Sequence, residues 1–204
     1  MGYPSILMQA LYTVYIVALN MILAGFSDAA VTVLGLYYKV QTFFFIPLFG
    51  LQTCIVPIIS YNYARNSYGR CRKTVNTAFF ISAVCMLLGM VVFIGFPQEM
   101  IGVFSKTTEV LSIGKIAFPI IGSSFLPVVF SLMTPVFFQA IGYGKTSLLL
   151  SLIRQIFCLI PIFWLFSKIG LFYTWIAFPL SEIISGGLGL FLYIRVSVSY
   201  THLR

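Results

Sequence analysis

Charge is the scarcest property of this sequence. Its 204 residues include four Asp and Glu and twelve Lys and Arg, 8% in all, while 60% are apolar. A soluble domain carries about 25% charged residues and covers its surface with them. Together with a mean hydropathy of +1.05, this composition excludes a water-soluble globular fold and makes lipid the main solvent. The net charge of +8 does not describe a nucleic-acid surface, which needs Lys and Arg clustered on a soluble scaffold. Here the cations punctuate apolar runs, as topology signals at membrane edges do. No nucleic-acid partner is expected.

The groups of catalysis are scarce as well. The one histidine is His202, so no His/Glu zinc pattern can form, and no nucleophile elbow occurs. Cys54, Cys71, Cys85 and Cys158 lack CxxC spacing and read as small apolar fillers. Gly144-Lys145-Thr146 resembles the end of a phosphate-binding loop, but Gln139 stands where the first Gly is required and no strand precedes it. A tight turn with a topology-setting Lys fits better. Metal, cofactor and enzymatic activity are therefore not expected. Met1 to Pro4 offers no charged n-region, so no cleaved signal peptide is expected either.

What the chain has in abundance is long apolar runs. A helix crosses the hydrocarbon core with about 20 residues, and six such runs stand between charges, Pro, Gly or Asn: 4–25, 31–60, 74–96, 113–140, 146–166 and 171–193. The expected fold class is an all-α membrane protein, a six-transmembrane-helix bundle. The run 31–60 reaches about 45 Å as a helix against a core of about 30 Å, so tilt or a kink must absorb the excess. Pro47 and Pro57 lie within it, and Pro119, Pro127 and Pro135 lie within 113–140. Each removes a backbone donor and bends its helix. Such bends persist in lipid where neighbouring helices or a water-filled cavity satisfy the freed carbonyls. They fit a conduit, and they equally fit plain kinked packing.

Orientation follows from the loops. Tyr61 to Lys73 contains Arg65, Arg70, Arg72 and Lys73 with no acid, which the positive-inside rule makes cytoplasmic. Asp28 and the loop with Glu99, Lys106 and Glu109 then face outward, Lys145 and Arg195 inward, with Lys168 a minor exception. Both termini are expected in the cytoplasm.

Charged groups inside spans cost about 2.5 to 3.5 kcal/mol each on insertion scales, which marks those present as functional candidates. Glu182, near the middle of the last span, is the clearest. Its carboxylate could bind a proton or Na+ and a cationic substrate in alternation, or it could be a paired packing group. Lys39 could be a site cation or could snorkel outward. Arg154, two turns into its span, is expected to snorkel to the headgroups. Gln9, Asn20, Gln41, Gln139 and Gln155 are neutral polar residues at span depth, able to coordinate an ion, bond a ligand or join helices. Ser181, Ser185 and Gly189 form a small-residue stripe that permits close packing. Phe43, Phe44, Phe45, Phe137, Phe138 and Trp164 either line an adaptable pocket or face lipid.

Several of these residues fall in patterns that resemble the multidrug and toxic compound extrusion (MATE) family, most closely its MepA-like bacterial branch. The pieces are Gly2-Tyr3-Pro4-Ser5, Asn20 with Leu23-Ala24, Gly35 to Lys39 leading to Gln41, Pro47-Leu48-Phe49-Gly50, and Pro57 through Tyr61-Asn62-Tyr63 to Asn66. Phe138 to Lys145, Arg154-Gln155 up to Pro161, and Trp175 to Glu182 extend the likeness, which runs from Gly2 to Arg195. The resemblance implies one lobe, the C-terminal six-helix half, of a twelve-helix exporter in a bacterial plasma membrane. It would expel small organic cations in exchange for Na+ or H+, with no cofactor, and its partner would be an N-terminal six-helix bundle. The family's coupling acid in that first bundle has no counterpart here, nor does the carboxylate another branch carries in the first helix of this bundle. Val196 to Arg204 departs from the family pattern and reads as adaptor-like sequence. Two other functions fit the same spans: a lipid-linked oligosaccharide flippase of the superfamily, which would place several cations in the cleft, and a non-transporting membrane scaffold.

Overall fold

The computed structural model describes residues 2–201, with the side chains of 2–5, 8–9 and 197–201 outside the description. The side chain of Gln9 and all of His202 therefore fall outside it. Among the described residues there are only helices and turns. Helix α1 covers Gly2–Ala24 and α2 covers Asp28–Ala64. Ser27 starts α2 from an extended backbone, its hydroxyl oxygen accepting the Ala30 N–H at 3.2 Å, and Asp28 puts a carboxylate at the positive end of the helix. At 37 residues, α2 is about 56 Å long, and Pro47 and Pro57 lie inside it without ending it. It stops where Asn66 turns to φ 55°, a left-handed conformation Asn tolerates. There the Ser67 N–H caps the Asn62 carbonyl at 2.9 Å.

Helix α3, Tyr68–Gly95, returns antiparallel to α2, and the short α4, Pro97–Gly102, starts on a proline that needs no donor there. The span expected at 113–140 is two helices, α5 over Thr108–Gly122 and α6 over Phe125–Ala140, meeting at a bend of 52°. Of the three prolines expected to kink it, Pro119 and Pro135 stay inside helices. The break falls at Ser123–Ser124, four residues ahead of Pro127, because Pro127 has no N–H for the Ser123 carbonyl. The serine hydroxyls stabilise the break by donating to the Ile120 and Ile121 carbonyls at 2.6 Å.

The next crossing starts with α7, Gly144–Leu152, after a turn in which Gly142 takes φ 88°. It passes through a π-helical segment, Ile153–Leu159, into α8, Ile160–Ser167. Pro161 accounts for the wide segment: it offers no N–H to the Phe157 carbonyl, and π pairing reaches one residue further, to Ile162. The last helix, α9, covers Leu171–Thr201, so it continues past Arg195 into the segment that departs from the family pattern.

By length and composition, α2, α3, α7–α8 and α9 can cross a membrane, and the bent α5–α6 pair makes a fifth when its two helices are taken as one span. The sixth expected crossing falls on α1, whose apolar part among the described residues, Ala10–Ala24, is shorter than a full span. Phe43 and Phe80, each 70% exposed, and Trp164 lie on the outer surface, as side chains facing lipid do. Inside, Phe93 stacks on Phe118 with ring centroids 5.1 Å apart and meets Phe125 at 4.8 Å, locking α3 against both halves of the bent span. Phe45, Phe137 and Phe138 are buried too, and Phe44 is half-buried. The small-residue stripe of α9 packs on α6. A Cβ on Gly186 would lie 3.1 Å from the Pro127 carbonyl oxygen, and one on Gly189 would lie 3.2 Å from Thr134. Ser60 donates to the Ala140 carbonyl at 2.7 Å, which ties the ends of α2 and α6 together on one side of the bundle.

Candidate functional site

Three helix faces converge on a cavity of about 570 Å³. On α2 the wall is Gln41, Phe45 and Gln52; on α6 it is Ser131, Pro135 and Gln139. Ser151, Arg154 and Gln155 complete it from α7 and the π segment, with Tyr12 and Tyr15 of α1 at the side. Each set recurs at spacings of three, four or seven residues, so each is one stripe of a helix. The tyrosine rings meet edge to face at 5.2 Å.

Behind this wall lies the strongest polar contact of the bundle. Arg154 Nη2 is 2.7 Å from Glu182 Oε1, and its Nε lies 2.9 and 3.0 Å from the two carboxylate oxygens. The side chains are 17% and 6% exposed. Ser131 donates a further hydrogen bond to Glu182 Oε2. One carboxylate thus fastens α6, the π segment and α9 together with charge-assisted, fork-like geometry. The expectation that Arg154 snorkels to the headgroups is corrected: a carboxylate within reach inside the bundle is a better partner than distant water, and the guanidinium turns inward.

The other sequence candidates divide. Gln41, Gln139 and Gln155 line the cavity. Asn20 does not; it donates to the Ile16 carbonyl one turn back, at 2.9 Å, and spends its amide on its own helix. Lys39 is exposed on the outer side of α2 and lines no part of the cavity. It precedes Gln41 by two positions, about 200° around the helix. Tyr12, Tyr15, Gln52, Ser131 and Ser151 were not singled out from sequence, although Gln52 sits eleven residues, three turns, after Gln41. Gln41 Oε1, Gln52 Nε2 and Gln155 Oε1 are buried without a hydrogen-bond partner. Three unpartnered amide atoms around one cavity are a reserve of hydrogen-bonding capacity, since each such group costs about 1–3 kcal/mol while unmade.

The helix order, the bent fifth span and the inward polar stripes can be compared with known proteins. The model of the MatE family matches residues 4–165. This chain belongs to the MatE family. The match stops short of α9. The multidrug export protein MepA of Staphylococcus saprophyticus is 25% identical over 171 residues, which cover 84% of this chain and 37% of that protein. An outward-facing multidrug resistance MATE transporter of the MOP superfamily superposes with a TM-score of 0.92 at 18% identity, over 98% of this chain and 46% of its own. The Vibrio cholerae MATE transporter VcmN in its bent form gives 0.90 at 21% identity, over 97% and 45%. The chain therefore spans less than half the length of the proteins it matches, and its fold is that of about half of a MATE transporter.

Proposed function

We propose that this MatE chain acts as the C-terminal half of a multidrug efflux antiporter of a bacterial plasma membrane, both ends in the cytoplasm. Its partner would be an N-terminal six-helix bundle, and its substrates small organic cations exchanged for Na+ or H+. The observation that carries the reading is the cavity, which combines aromatic rings, unpaired amides and no free carboxylate. Tyr12, Tyr15 and Phe45 offer ring faces to a cation, and the amides can adapt to varied polar groups. With Glu182 held by Arg154, and no Asp or Glu in the cavity lining among the described residues, the coupling carboxylate would belong to the other half. The pair's own role would be to position Arg154 and the cavity wall.

A flippase is less well supported, because Lys39 points away from the cavity and Arg154 is already paired. A scaffold leaves the cavity unexplained. The test is export by the full-length protein containing this half, in cells stripped of their own exporters. Accumulation of a fluorescent cation such as ethidium should fall several-fold on expression. Unchanged accumulation across a panel of organic cations overturns the reading.

A further inference from the structure

A second groove, of about 530 Å³, opens on the bundle surface between the end of α2 and the start of α3 and shares no lining residue with the first cavity or the ion pair. Its residues change character along its length. Arg70 and Lys73, one turn apart on α3, stand at the membrane-edge end with Asn62. Thr74 and Thr77 follow one turn deeper, and below them the walls are Leu51, Ile55, Ile58 and Ile81. From Leu51 to Asn62 on α2, and from Arg70 to Ile81 on α3, the groove runs eleven residues, or about 16 Å of helix. That is roughly half the hydrocarbon thickness of about 30 Å, the depth of a single leaflet.

The cations at its mouth have no carboxylate to neutralise them. Among the described residues the one ion pair is Arg154–Glu182, and the segment 61–73 has no acid. Arg65 adds a further positive charge beside the mouth, its guanidinium 4.6 Å from the centre of the Tyr61 ring, itself a groove residue. Ile58 and Ile81, 46% and 43% exposed, leave the deep end open to hydrocarbon.

We infer that this groove is a binding site for one anionic phospholipid, with its phosphate on Arg70 and Lys73, its ester region on the Thr74 and Thr77 hydroxyls, and an acyl chain along Ile55, Ile58 and Ile81. The order of chemistry down the groove is the order of groups down the lipid, and the length is that of its leaflet. Basic pockets between transmembrane helices take anionic headgroups for the same electrostatic reason. A free phosphate would satisfy the mouth and leave the apolar end unused, so the lipid is the occupant that fits the whole groove.

The test is native mass spectrometry of the full chain in detergent with phosphatidylglycerol or phosphatidylcholine of identical acyl chains. Phosphatidylglycerol should be retained about ten- to thirtyfold better, the effect of two cations near a membrane surface. Arg70→Gln with Lys73→Gln should bring it down to the phosphatidylcholine level, whereas Lys106→Gln with Lys145→Gln should change nothing. Ile58→Trp, at an exposed position that should not disturb folding, fills the groove and should lower retention with both cations in place. Glycerol phosphate at equal concentration should not displace the lipid. Equal retention of the two lipids, or displacement by glycerol phosphate, overturns the site. So does retention unchanged by both the double charge removal and Ile58→Trp.

Discussion

Glu182→Ala is expected to lower the stability of the bundle by about 3–5 kcal/mol, because it leaves the Arg154 guanidinium inside the protein without its counter-ion. The loss should appear as a large drop in the thermal midpoint of the detergent-solubilised chain. Arg154→Ala should act similarly, leaving a carboxylate that keeps only the Ser131 hydroxyl. The informative variant is the double replacement Arg154→Met with Glu182→Leu. A buried pair exchanged for apolar groups of similar volume is often neutral or stabilising, and Ser131 retains the Val128 carbonyl at 3.1 Å as an alternative acceptor. The double variant should therefore recover most of what either single variant loses. Additive losses in the double variant would mean that the two side chains do not depend on each other. Export by the full-length protein need not recover with stability, since the double variant removes the charge from the cavity wall.

Filling the cavity should have the largest effect on function. Ser151 is a small residue of the lining, near the end of α7 and three positions before Arg154. A Phe at this position adds about the volume of a ring to the space a substrate would occupy. Ser151→Phe is expected to reduce ethidium export by the full-length protein at least tenfold, a loss of about 1.4 kcal/mol or more in binding or passage. The thermal midpoint should fall far less than with Glu182→Ala, because the ring enters a void rather than a packed core. Phe80→Trp, on the outer surface, supplies the control and should leave export unchanged.

Much of this arrangement is legible in the residues, and the parts that are not have identifiable causes. Runs of apolar residues mark four of the six expected crossings as long apolar helices and a fifth as a bent pair, because the length of a span is fixed by the bilayer rather than by packing. Glu182 is visible as the one acid deep within a span, Asp28 and Glu109 standing in first turns. Its partner is not, since Arg154 lies 28 residues earlier and the π segment changes the angular phase of everything around it. Snorkelling is the natural expectation for an Arg near a span end, and only the position of α9 decides against it. Gln41, Gln139 and Gln155 are found by polarity alone. Lys39 could have been rejected on helical phase, as it and Gln41 cannot share a face. Asn20 could not, because a side chain that bonds its own backbone leaves no mark in spacing. For the bent span, prolines indicate that a break exists, but spacing alone does not tell which of the three opens its helix; Pro119 and Pro135 stay inside theirs, and the break falls ahead of Pro127.

The reading rests most heavily on the claim that this cavity meets the transported molecule. The direct measurement is protection of a single thiol at Gln155→Cys in the full-length protein, with the native cysteines Cys54, Cys71, Cys85 and Cys158 replaced by Ala. Saturating ethidium should slow its alkylation by a small maleimide severalfold, while a thiol at Phe80→Cys on the lipid face reacts at an unchanged rate. Equal rates at Gln155→Cys with and without an exported cation would contradict a substrate path through this half.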